Sequence, residues 1–369
     1  MRHARALVPY VAAALLIAGA SSALVFGTIG QEDASGSATI DVARSAPQLS
    51  STGRLAYWRQ NPAGAFVLFA ANLDGSLVRP LLTLAANSSR PLATRWTGDG
   101  QAVAFVSDAG ISVIGLDGAR LDIALPPAIR TTGFAILDQR WSPSGTKVAA
   151  TVYRSTDGKS DVFLATRLRP QLAHVADLGN AFTADWLSDD EVLIESDRGI
   201  VGALHESGTL RKLVDPPAAS PVIDGGRVYF LAGTTNTKAG GVGIYVQNPA
   251  VWSVAPDGSG VRREDRLGIG GDFKLDGRWP DGRYLLHAGQ DSTQYLSGAA
   301  AQLKPLSEVQ RSLRRVVLSA DRRSAIGLGG TRLIRIDLSR GFSPAESAFS
   351  VLLDGVVAAD VWVPRALAP

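Results

Sequence analysis

"RWSPSGTKVAA", residues 140–150, follows "RWTGDGQAVAF" (95–105) by 45 residues and precedes "DWLSDDEVLIE" (185–195) by 45. The same pattern returns in decayed form as "PVIDGGRVYFL" (221–231), "RWPDGRYLLHA" (278–288) and "VLSADRRSAIG" (317–327). Each stretch reads as a strand ending in Trp or a large aliphatic, a turn, and a second apolar strand. Pro presets φ for the first turn position and Gly relieves a positive φ, so S-P-x-G or P-D-G between apolar runs predicts a hairpin. Five of the seven tryptophans, Trp96, Trp141, Trp186, Trp279 and Trp362, hold the position before this turn. A large apolar ring repeated at one place in a β-unit predicts a wedge between neighbouring sheets, not a ligand platform.

A second hairpin pattern follows each first one. "AFVLFAANLDGSLVRPLL" (65–82), "ISVIGLDGARLDIAL" (111–125), "VGALHESGTLRKLV" (201–214) and "VWSVAPDGSGVRRE" (251–264) all read strand, D-G or S-G turn, strand. One unit is therefore four short antiparallel strands. Such a sheet cannot bury both faces alone, whereas sheets arranged radially bury each other. The fold class expected is all-β, a seven-bladed β-propeller with six blades as the alternative. The seven pre-turn positions are Trp96, Trp141, Trp186, Val222, Trp279, Leu318 and Trp362. "GRLAYW" (53–58) begins at a second strand, and "ADVWVPRALAP" (359–369) supplies a first one, so 356–364 is expected to pair with 53–58 and close the ring.

With "W-S-P-S-G" before an apolar strand and a late "D-G-S", residues 53–364 resemble the TolB-type propeller repeat, which also occurs in prolyl-oligopeptidase-like peptidases. The resemblance implies a propeller and specifies no activity. TolB proteins place a mixed α/β domain before six blades; here the count is seven.

The N-terminus is expected to be a separate region. After the basic "MRHAR", residues 6–30 carry no charge, and as a helix they would run about 37 Å, enough to cross a hydrocarbon core of about 30 Å. The expectation is an uncleaved signal-anchor over 1–30, with cleavage after Ala18-Gly19-Ala20 as the alternative. Residues 31–52, rich in Ser and Ala, are expected to be a linker, and 53–369 the propeller. With the positive end inside, the propeller would lie outside the cytoplasmic membrane.

Composition removes whole classes of function. Nearly half the residues are apolar and 19% are charged, which fits a folded chain with a large core. The net charge is +3, and Arg2 and Arg5 account for two of it, so no nucleic-acid partner is expected. The runs "RREDR" (262–266) and "RSLRR" (311–315) read as solvated loops. The absence of cysteine excludes disulfides, thiolate metal sites, a cysteine nucleophile and a lipobox anchor.

No G-x-S-x-G nucleophile elbow occurs, "GKS" (158–160) lacks the first Gly of a phosphate loop, and "GIGGD" (268–272) fails dinucleotide spacing. The four histidines, His3, His174, His205 and His287, show no metal spacing. No catalytic residue, metal or cofactor is expected. Asp138, Asp177 and Asp215 are the carboxylates a propeller glycosidase or lyase could use. "SDDE" (188–191) reads as a solvated turn. The one long interruption, "TTNTKAGGVGIYVQNPA" (234–250), is expected to be an irregular loop over the channel mouth. Asn236, Lys238 and Tyr245 would there join Arg90, Arg130, Arg154 and His287 in a site for an acidic or polar partner. The function expected is a non-enzymatic binding module for a protein, peptide or glycan of the cell envelope.

Overall fold

A computed structural model describes residues 48–364 apart from 109, 128–132, 216, 237–243, 268–270, 289–293, 298–302, 306–312 and 340–348. The expected anchor and all but the end of the expected linker lie outside the described residues. Leu49 and Ser50, at that end, belong to the folded domain: Leu49 is buried, and the Ser50 amide donates to Asn72 Oδ1 at 2.8 Å.

The described residues form 28 strands and no long helix. Strands β1 (Arg54–Gln60), β2 (Phe66–Asn72) and β3 (Arg79–Thr83) open the chain. Next come β4 (Leu92–Trp96), β5 (Ala102–Ser107), β6 (Gly110–Gly115) and β7 (Arg120–Ala124). They are followed by β8 (Phe134–Trp141), β9 (Lys147–Arg154), β10 (Lys159–Thr166) and β11 (Arg169–His174). The fourth group is β12 (Ala181–Trp186), β13 (Glu191–Ser196), β14 (Ile200–His205) and β15 (Leu210–Lys212). The fifth is β16 (Ala218–Asp224), β17 (Arg227–Asn236), β18 (Tyr245–Val254) and β19 (Arg262–Arg266). The sixth is β20 (Asp272–Arg278), β21 (Tyr284–Ala288), β22 (Gln294–Ser297) and β23 (Leu303–Pro305). The last strands are β24 (Leu313–Leu318), β25 (Ser324–Gly329), β26 (Arg332–Asp337), β27 (Phe349–Leu353) and β28 (Val356–Trp362).

Each group of four is an antiparallel meander, and β28 completes the first by pairing with β1 from Arg54↔Trp362 to Arg59↔Val356. The first strands of successive groups pack side by side, β28 on β4, β4 on β8, β8 on β12, β12 on β16 and β16 on β20. Apolar clusters fill the spaces between groups and run around the ring. One joins Trp58 and Phe105 of the first two groups, another Ala149, Val162 and Trp186 of the third and fourth, and another Trp279 and Ile334 of the sixth and last. A final cluster returns from Ile326 and Leu333 to Leu55 and Tyr57. The chain is a β-propeller by this topology: sheets that could not bury both faces alone bury one another.

The pre-turn tryptophans act as the expected wedges. The Trp186 indole donates to Arg140 O of the preceding group at 2.9 Å, and Trp362 donates to Gly98 O of the following one at 2.9 Å. Gly100 sits at φ +65°, and a Cβ there would run into the Trp362 ring, so the turn needs glycine both for its backbone and for the ring. Arg54 covers the other side, 5.0 Å from the ring centroid.

Three expectations fail. "RREDR" is strand β19, and the Leu-Arg-Arg of "RSLRR" opens β24. β19 is an outer strand whose Arg262 and Arg263 stay exposed, so its charged run pairs there at little desolvation cost. Residues 234–250 are not an irregular loop. The β17–β18 hairpin extends through Asn236↔Tyr245, with a bulge between Ala232 and Thr234, and only 237–243 fall outside the described residues.

Candidate functional site

Every pairing of a first strand with its second carries a register shift. A bulge bends the strand and re-aims the side chains beside it, and these bulges sit along the propeller axis. Next to them lie Arg95, Asp138, Asp185 and Asp276. The residues of Ser220's bulge include a non-glycine at φ 54°, Ser220 itself.

The axis holds a cavity of about 550 Å³, lined by residues of β4, β8, β12, β16, β20 and β24. Its turn end lies beside the pre-turn tryptophans, and its loop end lies where each group receives the chain from the one before.

Charges in the cavity are cross-tied. Asp138 accepts from Arg95 at 2.7 Å through one oxygen and from Arg140 at 2.8 Å through the other. Burial alone would lower the Arg140 pKa, but the carboxylates of Asp138, Asp185 and Asp360 hold it above the ordinary value. Asp360 is buried and accepts the Trp96 amide at 2.8 Å. On the far wall, Asp224 binds Arg322, and Arg278 Nη1 lies 3.7 Å from its other oxygen. Arg278 also donates to the Tyr229 hydroxyl at 3.2 Å.

Toward the loop end the chemistry changes. Glu195 is buried and accepts the amides of Ser220 at 2.6 Å and Ile244 at 3.3 Å. Its pKa is raised by burial, against the opposing pull of Lys274 and the two N–H groups. Lys274 is half-buried, and burial lowers its pKa against Glu195 and Asp276. Its Nζ lies 4.8 Å over the Tyr245 ring. Burial, then Asp276, Asp272 and Glu195, raise the Tyr245 hydroxyl.

Of the residues singled out in the sequence, the structure gathers Tyr245 and His287. His287 lies opposite Lys274 in the β20–β21 register, and its Nδ1 is 3.6 Å from Asp276. Arg90 and Arg154 are held by other partners. Arg90 donates to Val357 O at 2.6 Å, and Arg154 pairs with Asp157 at 3.0 Å and Asp161 at 2.8 Å on the third group. The Asn236 backbone pairs with Tyr245, while Arg130 and Lys238 lie outside the described residues. Asp138 lines the cavity, whereas Asp177 and Asp215 are exposed. The "SDDE" turn is tied down: Asp189 accepts the Ser144 amide and Asp190 binds Lys147, both from the preceding group.

The reading of the sequence missed Arg95, Arg140, Arg278, Glu195 and Lys274. Three of these had a visible signal, because Arg precedes the pre-turn Trp at 95–96, 140–141 and 278–279.

Among the described residues no set of three or more His, Cys, Asp or Glu is placed to hold a metal, and no helix is long and apolar enough to cross a membrane.

The likeness to TolB read from the repeat extends to solved structures. TolB from Acinetobacter baumannii is 18% identical, with a TM-score of 0.41; the match covers 75% of this chain and 64% of that one, less than two thirds of its length. An oligogalacturonate lyase in complex with manganese is 11% identical over 75% of this chain and 86% of that one, with a TM-score of 0.49. The WD40 β-propeller domain of Doa1 is 13% identical over 80% of this chain and 93% of that one, with a TM-score of 0.47. No protein-family model matches the chain, and no curated protein does.

Proposed function

We propose that this chain is a seven-bladed propeller acting as a non-enzymatic binding module for a protein, peptide or glycan, with the axial cavity as its site. Reading each eight-stranded sheet as two joined blades supports the count of seven. Residues 1–30 anchor it in the cytoplasmic membrane, and 31–52 carry the propeller on the outer side. The observation that carries the binding reading is the tying of Asp138 by two arginines and of Asp224 by two more. Carboxylates so held are fixed recognition groups, whereas a general acid or base must exchange its proton with substrate. One observation favours a second reading, an exported glycoside hydrolase or lyase: Glu195 is held toward its protonated form at the cavity wall.

Incubating the full chain with peptide and oligosaccharide libraries, followed by mass analysis of retained ligand, separates the two. Retention without chemical change is expected. Turnover that disappears in Glu195→Gln would establish the enzyme. Membrane fractions treated with external protease should release a soluble fragment beginning within 31–52; a soluble protein beginning near Ser21 would replace the anchor with a cleaved signal.

A further inference from the structure

Lys274 stands in the wall of the axial cavity together with an acid. It lies on β20, where strand alternation sets half-buried Asp272, Lys274 and Asp276 against buried Phe273 and Leu275. Lys274 and Glu195 both line the cavity, and Lys274 keeps part of its surface open. Glu195 reaches the same wall from β13 and is fixed there, because Ser220 donates to its Oε2 at 2.6 Å and Ile244 to its Oε1 at 3.3 Å. Ser220 Oγ ties these two segments together by donating to Ile244 O at 3.1 Å. Ser220 itself holds φ 54°, a conformation that a residue with a side chain keeps only where its surroundings enforce it.

The titratable groups around Lys274 are Glu195 from β13, Tyr245 from β18, His287 opposite it on β21, and Asp272 and Asp276 of its own strand. Burial draws the Lys274 amine down and the Glu195 carboxyl up, so both move toward their neutral forms. A neutral amine is a nucleophile, whereas an ammonium is not. A carboxylic acid beside it is a proton donor. The charge of the ligand follows from the rest of the cavity. Asp138 is answered by Arg95 and Arg140, and Asp224 by Arg278 and Arg322. An uncharged ligand leaves those pairs intact, and a carbonyl carbon is what an amine attacks.

We infer that Lys274 captures an uncharged aldehyde or ketone in the axial cavity as an imine, with Glu195 supplying the proton that releases water. This rests on the reading of the axial cavity as a binding site, and it is capture without turnover. The amine adds its electron pair to the carbonyl carbon, and the proton the nitrogen then sheds moves to the carbonyl oxygen. Glu195 protonates the resulting hydroxyl, the C–O bond breaks, and water leaves as the C=N bond forms. The products are an iminium on Lys274 and a Glu195 carboxylate held by the two amides.

The test incubates the full chain near pH 7 with propanal and cyanoborohydride, which reduces an imine to a stable propylated amine, and maps the product by peptide mass analysis. Lys159 and Lys212 are exposed and serve as internal references. Exposure alone would put them ahead of half-buried Lys274. The expected result is the reverse, with Lys274 labelled about tenfold faster, the gain in free amine that one unit of lowering gives. That comparison needs no variant.

Two variants locate the reaction. Gly277 lines the cavity at the β20 bulge, and a Cβ there would meet nothing within 4 Å. Gly277→Phe takes up that space without removing a charge and should slow labelling of Lys274 roughly tenfold or more. Glu195→Gln keeps the shape, removes the proton donor and should slow it roughly a hundredfold. It also removes a charge that favours the ammonium, so a merely electrostatic role for Glu195 would speed labelling instead. Circular dichroism checks that both variants fold, and labelling of Lys159 and Lys212 should not change. Lys274 labelled no faster than the exposed pair in the unaltered chain, or no slower in either variant, overturns the inference. A chain that retains a ligand from the peptide and oligosaccharide libraries while leaving Lys274 unlabelled keeps the module reading and loses this one.

Discussion

Two pairs of neighbouring groups are fused into eight-stranded sheets, and they are fused in opposite places. The second and third groups meet at the rim, where β7 and β11 share one parallel bridge, Gln171↔Ala124. The fifth and sixth meet at the axis, where β18 leaves its own outer strand and pairs with β20. The rim bridge itself sits at half-buried Ala124 and exposed Gln171, beside Ile123 and Leu172 of the shared apolar cluster. Axial fusion buries Ile244 and Val246 in the apolar cluster between the fifth and sixth groups and brings Tyr245 over Lys274. The lesson is that a strand join matters by what it buries, not by how many hydrogen bonds it adds. A third join, β28 with β1, combines a long register with buried side chains and should outrank both.

Deleting residues 356–369 is expected to have the largest effect. It strips β1 of its partner, leaves an open sheet edge, and removes Trp362 from its seat on Gly98 and Gly100. Light scattering should show oligomers or the thermal transition should vanish. A monomer melting like the full chain would place the closure join below the other two. Val246→Asp comes next, because it puts a charge into the apolar cluster of the axial join. Chemical denaturation should report a loss of roughly 3 kcal/mol or more, and a cost near zero would mean the axial join buries nothing of consequence. Gln171→Pro removes the amide of the rim bridge at an exposed position. Its cost should be about 1 kcal/mol or less, and a larger one would erase the contrast between rim and axis.

Much of the architecture was legible because the repeat writes its constraints at fixed places. Trp needs a wedge, D-G and S-P-S-G need turns, and 53–58 lacked a first strand that only the C-terminal segment could supply. The site was harder to read. Glu195 becomes special only because a strand residue 25 positions on and a hairpin residue 49 on point their amides at it, and no local pattern encodes that convergence. The alternation Ile244-Tyr245-Val246, buried, half-buried, buried, was a strand signal masked by the glycines before it and Pro249 after it. Arg95, Arg140 and Arg278 were in plain view beside their tryptophans. They were passed over because charge in a strand is ordinarily read as solvated, while here the strand lies along a channel.

The closure join also dictates an order of events. The Trp96 amide waits for Asp360, and Gly98 for Trp362, each 264 residues further along the chain. Contacts so distant in sequence form late, since the intervening chain must be ordered before they repay its loss of freedom. Synthesis proceeds from the N-terminus, so β1 is made among the first strands and its partner last. Through nearly all of its production the chain therefore carries a bare strand edge able to pair with any neighbour that offers one. Whatever accompanies the nascent polypeptide has to shield that edge until the ring can shut.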